Sequence, residues 1–256
     1  MDVVPGWTGV VDRLRAAGCV FAEDEAALLV QAAADAGDLA ALVARRVAGE
    51  PLEQLLGWAA FAGLRIGLAP GVFVPRVRTE FLAERAAAAA RPGSVVLDLC
   101  CGSGALGAAV AARVPGIELH AADLDPAAVA CARGNLPGAT VHEGDLFDAL
   151  PTTLRGRVDV LVANVPYVPT AAIPLLPPEA RDHEPRLALD GGQDGLGVAR
   201  RVLAGAPAWL APGGTVLFES GEAQVPAALA AVSFAGLLPA VDTDDERGAT
   251  VVSGRR

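Results

Sequence analysis

Basic residues are scarce in this 256-residue chain: 20 Lys and Arg face 30 Asp and Glu, for a formal charge of −10. The field of such a surface repels polyanions, which disfavours nonspecific nucleic-acid binding. Cysteine is scarce as well. Cys19, Cys100, Cys101 and Cys131 form no Cys-x-x-Cys pair, and only His120, His142 and His183 are available to join them as ligands. That pattern argues against a disulfide framework and against a structural metal. Uncharged stretches long enough to span a bilayer are broken by proline. Residues 160–178 contain Pro166, Pro169, Pro174, Pro177 and Pro178, and residues 223–241 contain Pro226 and Pro239, so no transmembrane helix is expected. The first twenty residues carry Asp2, Asp12, Arg13 and Arg15 without a basic-then-apolar pattern, so no export signal is read and a cytoplasmic location is expected. Internal repeats and low-complexity linkers are also missing.

What is present is length for one ordinary core and a small companion. The companion comes first. Val11, Leu14, Ala17 and Val20, then Ala26, Leu29, Val30, Ala33 and Ala34, then Leu39, Leu42, Val43 and Val47 recur at three-and-four spacing, which predicts a helical unit over residues 1–56. Short apolar runs broken by Gly and Pro over 57–75 suit a β-hairpin or extended linker. From 76 to 256, strand-like and helix-like runs alternate. Strands are expected at 95–99, 117–122, 139–142, 158–163 and 215–219, and helices at 105–114, 126–135, 196–210 and 224–231. A terminal antiparallel hairpin (237–241 with 249–253) closes the chain. This alternation implies an α/β fold with a mostly parallel, doubly wound sheet.

In such sheets ligands sit beyond the carboxyl ends of the strands. Asp98-Leu99-Cys100-Cys101-Gly102-Ser103-Gly104 occupies that place after the first core strand. Gly102 and Gly104 allow close backbone approach, and the following helix offers free N–H groups. Gly102-x-Gly104-x-x-Gly107 satisfies a dinucleotide fingerprint, which alone is weak. Asp98 discriminates: an acid there is unfavourable beside a pyrophosphate and favourable beside the ammonium and sulfonium of S-adenosylmethionine. Asp123, ending the second strand, is placed to accept from both ribose hydroxyls, and Asp145 from the adenine amino group, with Leu146 and Phe147 against the ring.

Asn164-Val165-Pro166-Tyr167 follows the fourth strand at the same edge. A planar NH2 group needs two acceptors if its weak lone pair is to be turned toward a methyl carbon. The Asn164 side-chain oxygen and the Val165 carbonyl are those acceptors; Pro166 keeps Val165 extended, and Tyr167 offers a face to the amide.

With Gly49-Glu50-Pro51, Val74-Pro75-Arg76 through Thr79-Glu80, and Glu179 to Gly192, these motifs make the chain resemble, over nearly its whole length, the HemK (PrmC) family of protein glutamine N5-methyltransferases. The resemblance implies a seven-stranded Rossmann-like class I methyltransferase core that binds S-adenosylmethionine, with an N-terminal helical domain that docks a protein substrate. It implies cofactor contacts from Cys100, Cys101, Gly102, Ser103, Gly104, Asp123, Leu146 and Asn164, and an acceptor glutamine held by Asn164 to Tyr167. The target it implies is a glutamine in an exposed loop of a release factor or ribosomal protein. Three positions depart from the pattern: Val165 replaces the first proline of Asn-Pro-Pro-Tyr, Arg78 replaces an aspartate, and Cys100 replaces the first loop glycine.

The expected chemistry is in-line methyl transfer governed by positioning, without a strong general base. His183 is the tempting base, but Arg181, Asp182, Glu184 and Arg186 around it suggest a salt-linked loop. The rival readings are methylation of a small amide or amine metabolite, adenine N6-methylation, which the net charge opposes, and a noncatalytic cofactor-binding partner of translation, which the intact Asn164 opposes.

Overall fold

The computed structural model describes residues 7–256; Met1–Gly6, the start of the segment read as free of an export signal, lie outside the described residues. Helices α1 (Trp7–Ala16), α2 (Ala22–Ala32), α3 (Ala36–Val47) and the short α4 (Leu52–Leu56) form the N-terminal unit, around a core of Leu14, Ala26, Leu29 and Val43. Helix α3 starts where the Asp35 side chain accepts from the backbone N–H groups of Gly37 (2.8 Å) and Asp38 (2.9 Å), a cap worth about 1 kcal/mol. Val20, expected on the buried stripe, is 83% exposed because α1 stops at Ala16 and the chain turns there.

Strands β1 (Trp58–Phe61) and β2 (Leu64–Gly67) pair as an antiparallel hairpin. It is packed rather than free-standing. Phe61 and Ile66 bury in the same cluster as α5 (Glu80–Ala89), β3 (Val95–Leu99) and α6 (Ala105–Arg113). Helix α5 has no counterpart in the sequence reading. Its run of alanines gives little contrast between faces, yet it buries Leu82, Ala83, Ala86 and Ala87.

The chain continues through β4 (Glu118–Asp123), α7 (Pro126–Asn135), β5 (Thr140–Glu143), β6 (Val158–Ala163), α8 (Pro178–His183) and α9 (Arg186–Leu189). It ends with α10 (Gly197–Trp209), β7 (Leu210–Glu219), α11 (Val225–Phe234), β8 (Leu238–Asp244) and β9 (Ala249–Arg255). The seven-stranded sheet has the order β5-β4-β3-β6-β7-β9-β8. Strands β3 to β7 are parallel and β9 is antiparallel to both its neighbours. Strand β7 starts at Leu210, before the expected Thr215, because a register break opposite Val158–Val160 absorbs the extra residues.

Helices cover both faces, so the central strands are mostly apolar. Leu97, Leu161 and Phe218 pack toward α10 and α11, while Val96, Val160 and Leu217 pack toward α5 and α6. Strand order reverses at β3, which has β4 on one side and β6 on the other. A crevice forms outside the carboxyl ends of these strands. Among the described residues no helix is long and apolar enough to cross a membrane.

Candidate active site

A cavity of about 640 Å³ occupies that crevice. One wall is the loop after β3, where Cys100 has φ +57° and Gly102 φ +54°. A side chain in this left-handed region costs about 1–2 kcal/mol, so the backbone explains why glycine is favoured at position 100 and shows that Cys100 is strained. At Gly104 (φ +79°) an added Cβ would lie 2.9 Å from Leu136 Cδ1 and 3.3 Å from Ala132 Cα. Glycine here lets α6 start against α7, and the residue sits behind the cavity wall rather than in it.

Asp123, at the end of β4, ties the loop in place. Its Oδ2 accepts from the Gly102 N–H (2.8 Å) and its Oδ1 from the Asp125 N–H (2.9 Å). Each oxygen keeps a lone pair, and Asp123 lines the cavity. Burial raises its pKa above the usual carboxylate value, against the lowering by these N–H donors.

Asp98 departs from the expected arrangement. It is fully buried and does not line the cavity. Its Oδ2 accepts from the Gly107 N–H (2.9 Å) and its Oδ1 has no partner. The carboxylate lies under the loop against the first turns of α6 and faces the Gly107 N–H rather than the cavity. Burial, only partly offset by the Gly107 N–H and reinforced by Asp123, pushes its pKa up to about 7. Phe147 is also displaced from the expected adenine pocket: it stacks on Trp209 with ring centroids 5.6 Å apart and packs into the core. Asp145 and Leu146 do line the cavity, with Asp145 paired to Arg201 at 2.7 Å.

The opposite wall is Asn164 to Tyr167, just past β6. Asn164 Oδ1 is buried without a hydrogen-bond partner. Val165 is 2% exposed, its side chain filling the core beside Leu161 and Phe218. A β-branched residue in place of proline is thus anchored by packing.

Tyr167 is held by groups to which the sequence reading assigned no role: Glu219, which it did not single out, and Arg78, which it noted only as a departure. Its hydroxyl donates to Glu219 Oε1 (2.8 Å), and Arg78 donates to that hydroxyl. Glu219 also pairs with Arg78 Nε (2.9 Å) and accepts from Thr79 Oγ1 (2.7 Å). Burial, then the Glu219 charge, raise the Tyr167 pKa. Glu219 ends β7 at the same edge as the other site residues; a charge closing an apolar strand there is the signal that could have found it.

Residues 168–191 arch over the cavity. Val168 N–H donates to Leu189 O (3.1 Å) and Gly191 N–H to Val168 O (2.9 Å), which closes the base of the arch. A Cβ at Gly191 would meet Gly195 O at 2.5 Å and Pro166 O at 2.7 Å, so only glycine fits against the motif. Arg46 of α3 bonds Glu179 of α8 (3.1 Å) and Glu25 of α2 (2.6 Å), linking the arch to the N-terminal unit. His183 is exposed on α8 and does not line the cavity. Arg181–Asp182 and Arg186–Asp190 pairs surround it.

These walls suit S-adenosylmethionine. A Cβ at Gly102 would meet no atom within 4 Å, leaving room for a ligand against the loop. Asp123 retains acceptor capacity for vicinal hydroxyls, and Asn164 has an acceptor without a protein donor.

Residues 64–174 match the family described as Methyltransferase small domain. The chain is 39% identical over 216 residues to the release factor glutamine methyltransferase of Geobacter sulfurreducens, covering 84% of this chain and 76% of that protein. It is 41% identical over 195 residues to the 4-amino-L-phenylalanine/4-methylamino-L-phenylalanine methyltransferase of Streptomyces pristinaespiralis, covering 72% and 65%. A solved methyltransferase structure from Pyrococcus furiosus is similar in fold, with a TM-score of 0.58 at 17% identity over 83% of this chain and 96% of that one. With its parallel sheet, cofactor wall and unpartnered Asn164, the chain belongs to the release factor glutamine methyltransferase family of S-adenosylmethionine-dependent enzymes.

Proposed function

We propose that this enzyme methylates the side-chain amide nitrogen of a glutamine in a peptide-chain release factor. The observation that carries the reading is the Asn164 amide oxygen, without a protein partner, on a residue that lines the cavity. S-adenosylmethionine, when bound, supplies a methyl carbon on a sulfonium. An amide nitrogen is a weak nucleophile because its lone pair is delocalised, so most of the acceleration must come from position. Asn164 Oδ1 and the Val165 carbonyl accept the two N–H hydrogens and fix the amide plane. As the nitrogen becomes pyramidal its hydrogens grow more acidic, and both bonds strengthen toward the transition state. Tyr167, tethered through Glu219, closes one side, and the arch limits water. The nitrogen would form its new bond to the methyl carbon as the carbon–sulfur bond breaks, the sulfur keeping the electron pair as a neutral thioether, and would then release one proton to solvent. The N-terminal unit, joined to the arch through Arg46 and Glu179, is the docking platform for the protein acceptor.

The test is methyl transfer to purified release factor, with mass spectrometry locating the added methyl on glutamine. Asn164→Ala is expected to lower kcat by roughly 100-fold or more, the scale of losing a donor or acceptor aligned with a transition state, while cofactor affinity changes little. Transfer that spares glutamine would reject the assignment. The aromatic-amine relative favours one second reading, a planar amine on a small molecule; 4-amino-L-phenylalanine as acceptor in the same assay separates the two.

A further inference from the structure

Asn164 is not the only cavity residue with an unsatisfied acceptor. Glu184 also lines the cavity, with its side chain only 2% exposed. One of its oxygens, Oε1, takes the Arg76 guanidinium, while Oε2 has no hydrogen-bond partner. A buried carboxylate oxygen without a donor is costly, and a ligand N–H would relieve that cost. Arg76 is itself one-third exposed, lines the cavity and stands 5.4 Å from the Phe73 ring centroid. The pair therefore offers one free acceptor beside several donors, with no net charge. That is the complement of a peptide unit, with N–H toward Glu184 and C=O toward Arg76. A phosphate or an isolated carboxylate would instead meet the Glu184 charge.

We infer that Arg76 and Glu184 form a second substrate subsite, in which Glu184 Oε2 accepts the main-chain N–H of the residue whose side-chain amide is methylated. The inference rests on the glutamine reading and deepens it: the acceptor is read at two points, as an amino-acid residue within a chain and not as a bare amide. Glu184→Gln is a sharp probe because Arg76 attracts the new amide oxygen. The NH2 then takes the place of Oε2, and a donor faces the substrate's donor.

The experiment uses the full-length enzyme with four acceptors: purified release factor, a synthetic peptide spanning its methylated glutamine, that peptide with the glutamine main-chain nitrogen methylated, and free glutamine. Wild-type kcat/KM is expected to fall roughly tenfold or more on main-chain methylation, the scale of a lost hydrogen bond to a charged group. Glu184→Gln should lower kcat/KM for the unmodified peptide by a similar factor, mainly through KM, with cofactor Kd unchanged. It should also lose the ability to tell the two peptides apart. Wild-type enzyme that uses both peptides equally overturns the subsite, and that result requires no variant to fold. Equal discrimination by wild type and Glu184→Gln overturns it too. Free glutamine used as efficiently as the peptide would shift the contact to a free ammonium and refute the main-chain assignment. Failure to methylate both release factor and peptide removes the glutamine reading and this subsite together, whereas transfer indifferent to Glu184 removes the subsite alone.

Discussion

Replacing Asp123 by Asn tests whether one carboxylate both ties the glycine loop and holds the cofactor. In the native site its two oxygens accept from the Gly102 and Asp125 N–H groups at 2.8 and 2.9 Å. Asparagine keeps one oxygen, so one of these backbone donors must face an NH2 group. A hydrogen bond to a charged group contributes about 1.5–3 kcal/mol, and water can partly replace it at this half-buried position, so a loss of about 2 kcal/mol in stability is expected. For a chain of this size that lowers the thermal midpoint by roughly 4–8 °C. A lost bond to a ribose hydroxyl costs about 1.5–3 kcal/mol more in binding, which is roughly a 10- to 150-fold increase in the cofactor Kd. Calorimetric titration with S-adenosylhomocysteine gives the second quantity and a thermal melt the first. A lower midpoint with an unchanged Kd would confine Asp123 to the loop and refute its cofactor role; no change in either would refute both.

Other consequences are as specific. Asp98, with its pKa raised to about 7, stabilises the native state fully only below the unfolded carboxylate pKa, and that contribution is lost as pH rises through about 7. Asp98→Asn should therefore gain stability relative to wild type between pH 5 and pH 8 in urea melts; a pH-independent difference contradicts the burial argument. Tyr167→Phe keeps the ring but breaks its tie to Glu219, so kcat should fall more than cofactor affinity, and an unchanged kcat would show that the tether is idle. Gly191→Ala, with a Cβ 2.5 Å from Gly195 O, should destabilise the protein by more than about 2 kcal/mol; a wild-type midpoint would contradict the close packing under the arch.

Much of the site was legible because its chemistry is local. The turn after β3 needs left-handed backbone at alternate positions, 100, 102 and 104, and Gly102 and Gly104 announce it. Pro126 after Asp125 marks the start of α7, where Asp125 Oδ1 accepts from the Ala127 N–H at 2.8 Å. Asn164 and Val165 follow an apolar strand and so had to emerge at the carboxyl edge. The alanine-rich α5 escaped because its burial comes from fitting under the sheet, not from a contrast along its own sequence. Arg78 was visible as a departure from the family pattern, but its role was not, since the carboxylate that receives it lies on β7, far along the chain.

By itself the sequence determined the alternation of strands and helices that makes a mostly parallel sheet, the glycine turn, and the place of Asn164 to Tyr167 at the end of a strand, each read from patterns local to its own segment. Tertiary structure alone decided which groups meet across long separations: Thr79 with Glu219, 140 residues apart, Arg46 with Glu179, 133 apart, and Arg76 with Glu184, 108 apart. It also turned Asp98 under the loop and Phe147 into the core. The reason is physical: a backbone turn is set by the sterics of adjacent residues, whereas the partner and solvent exposure of a side chain depend on which distant segments pack against it.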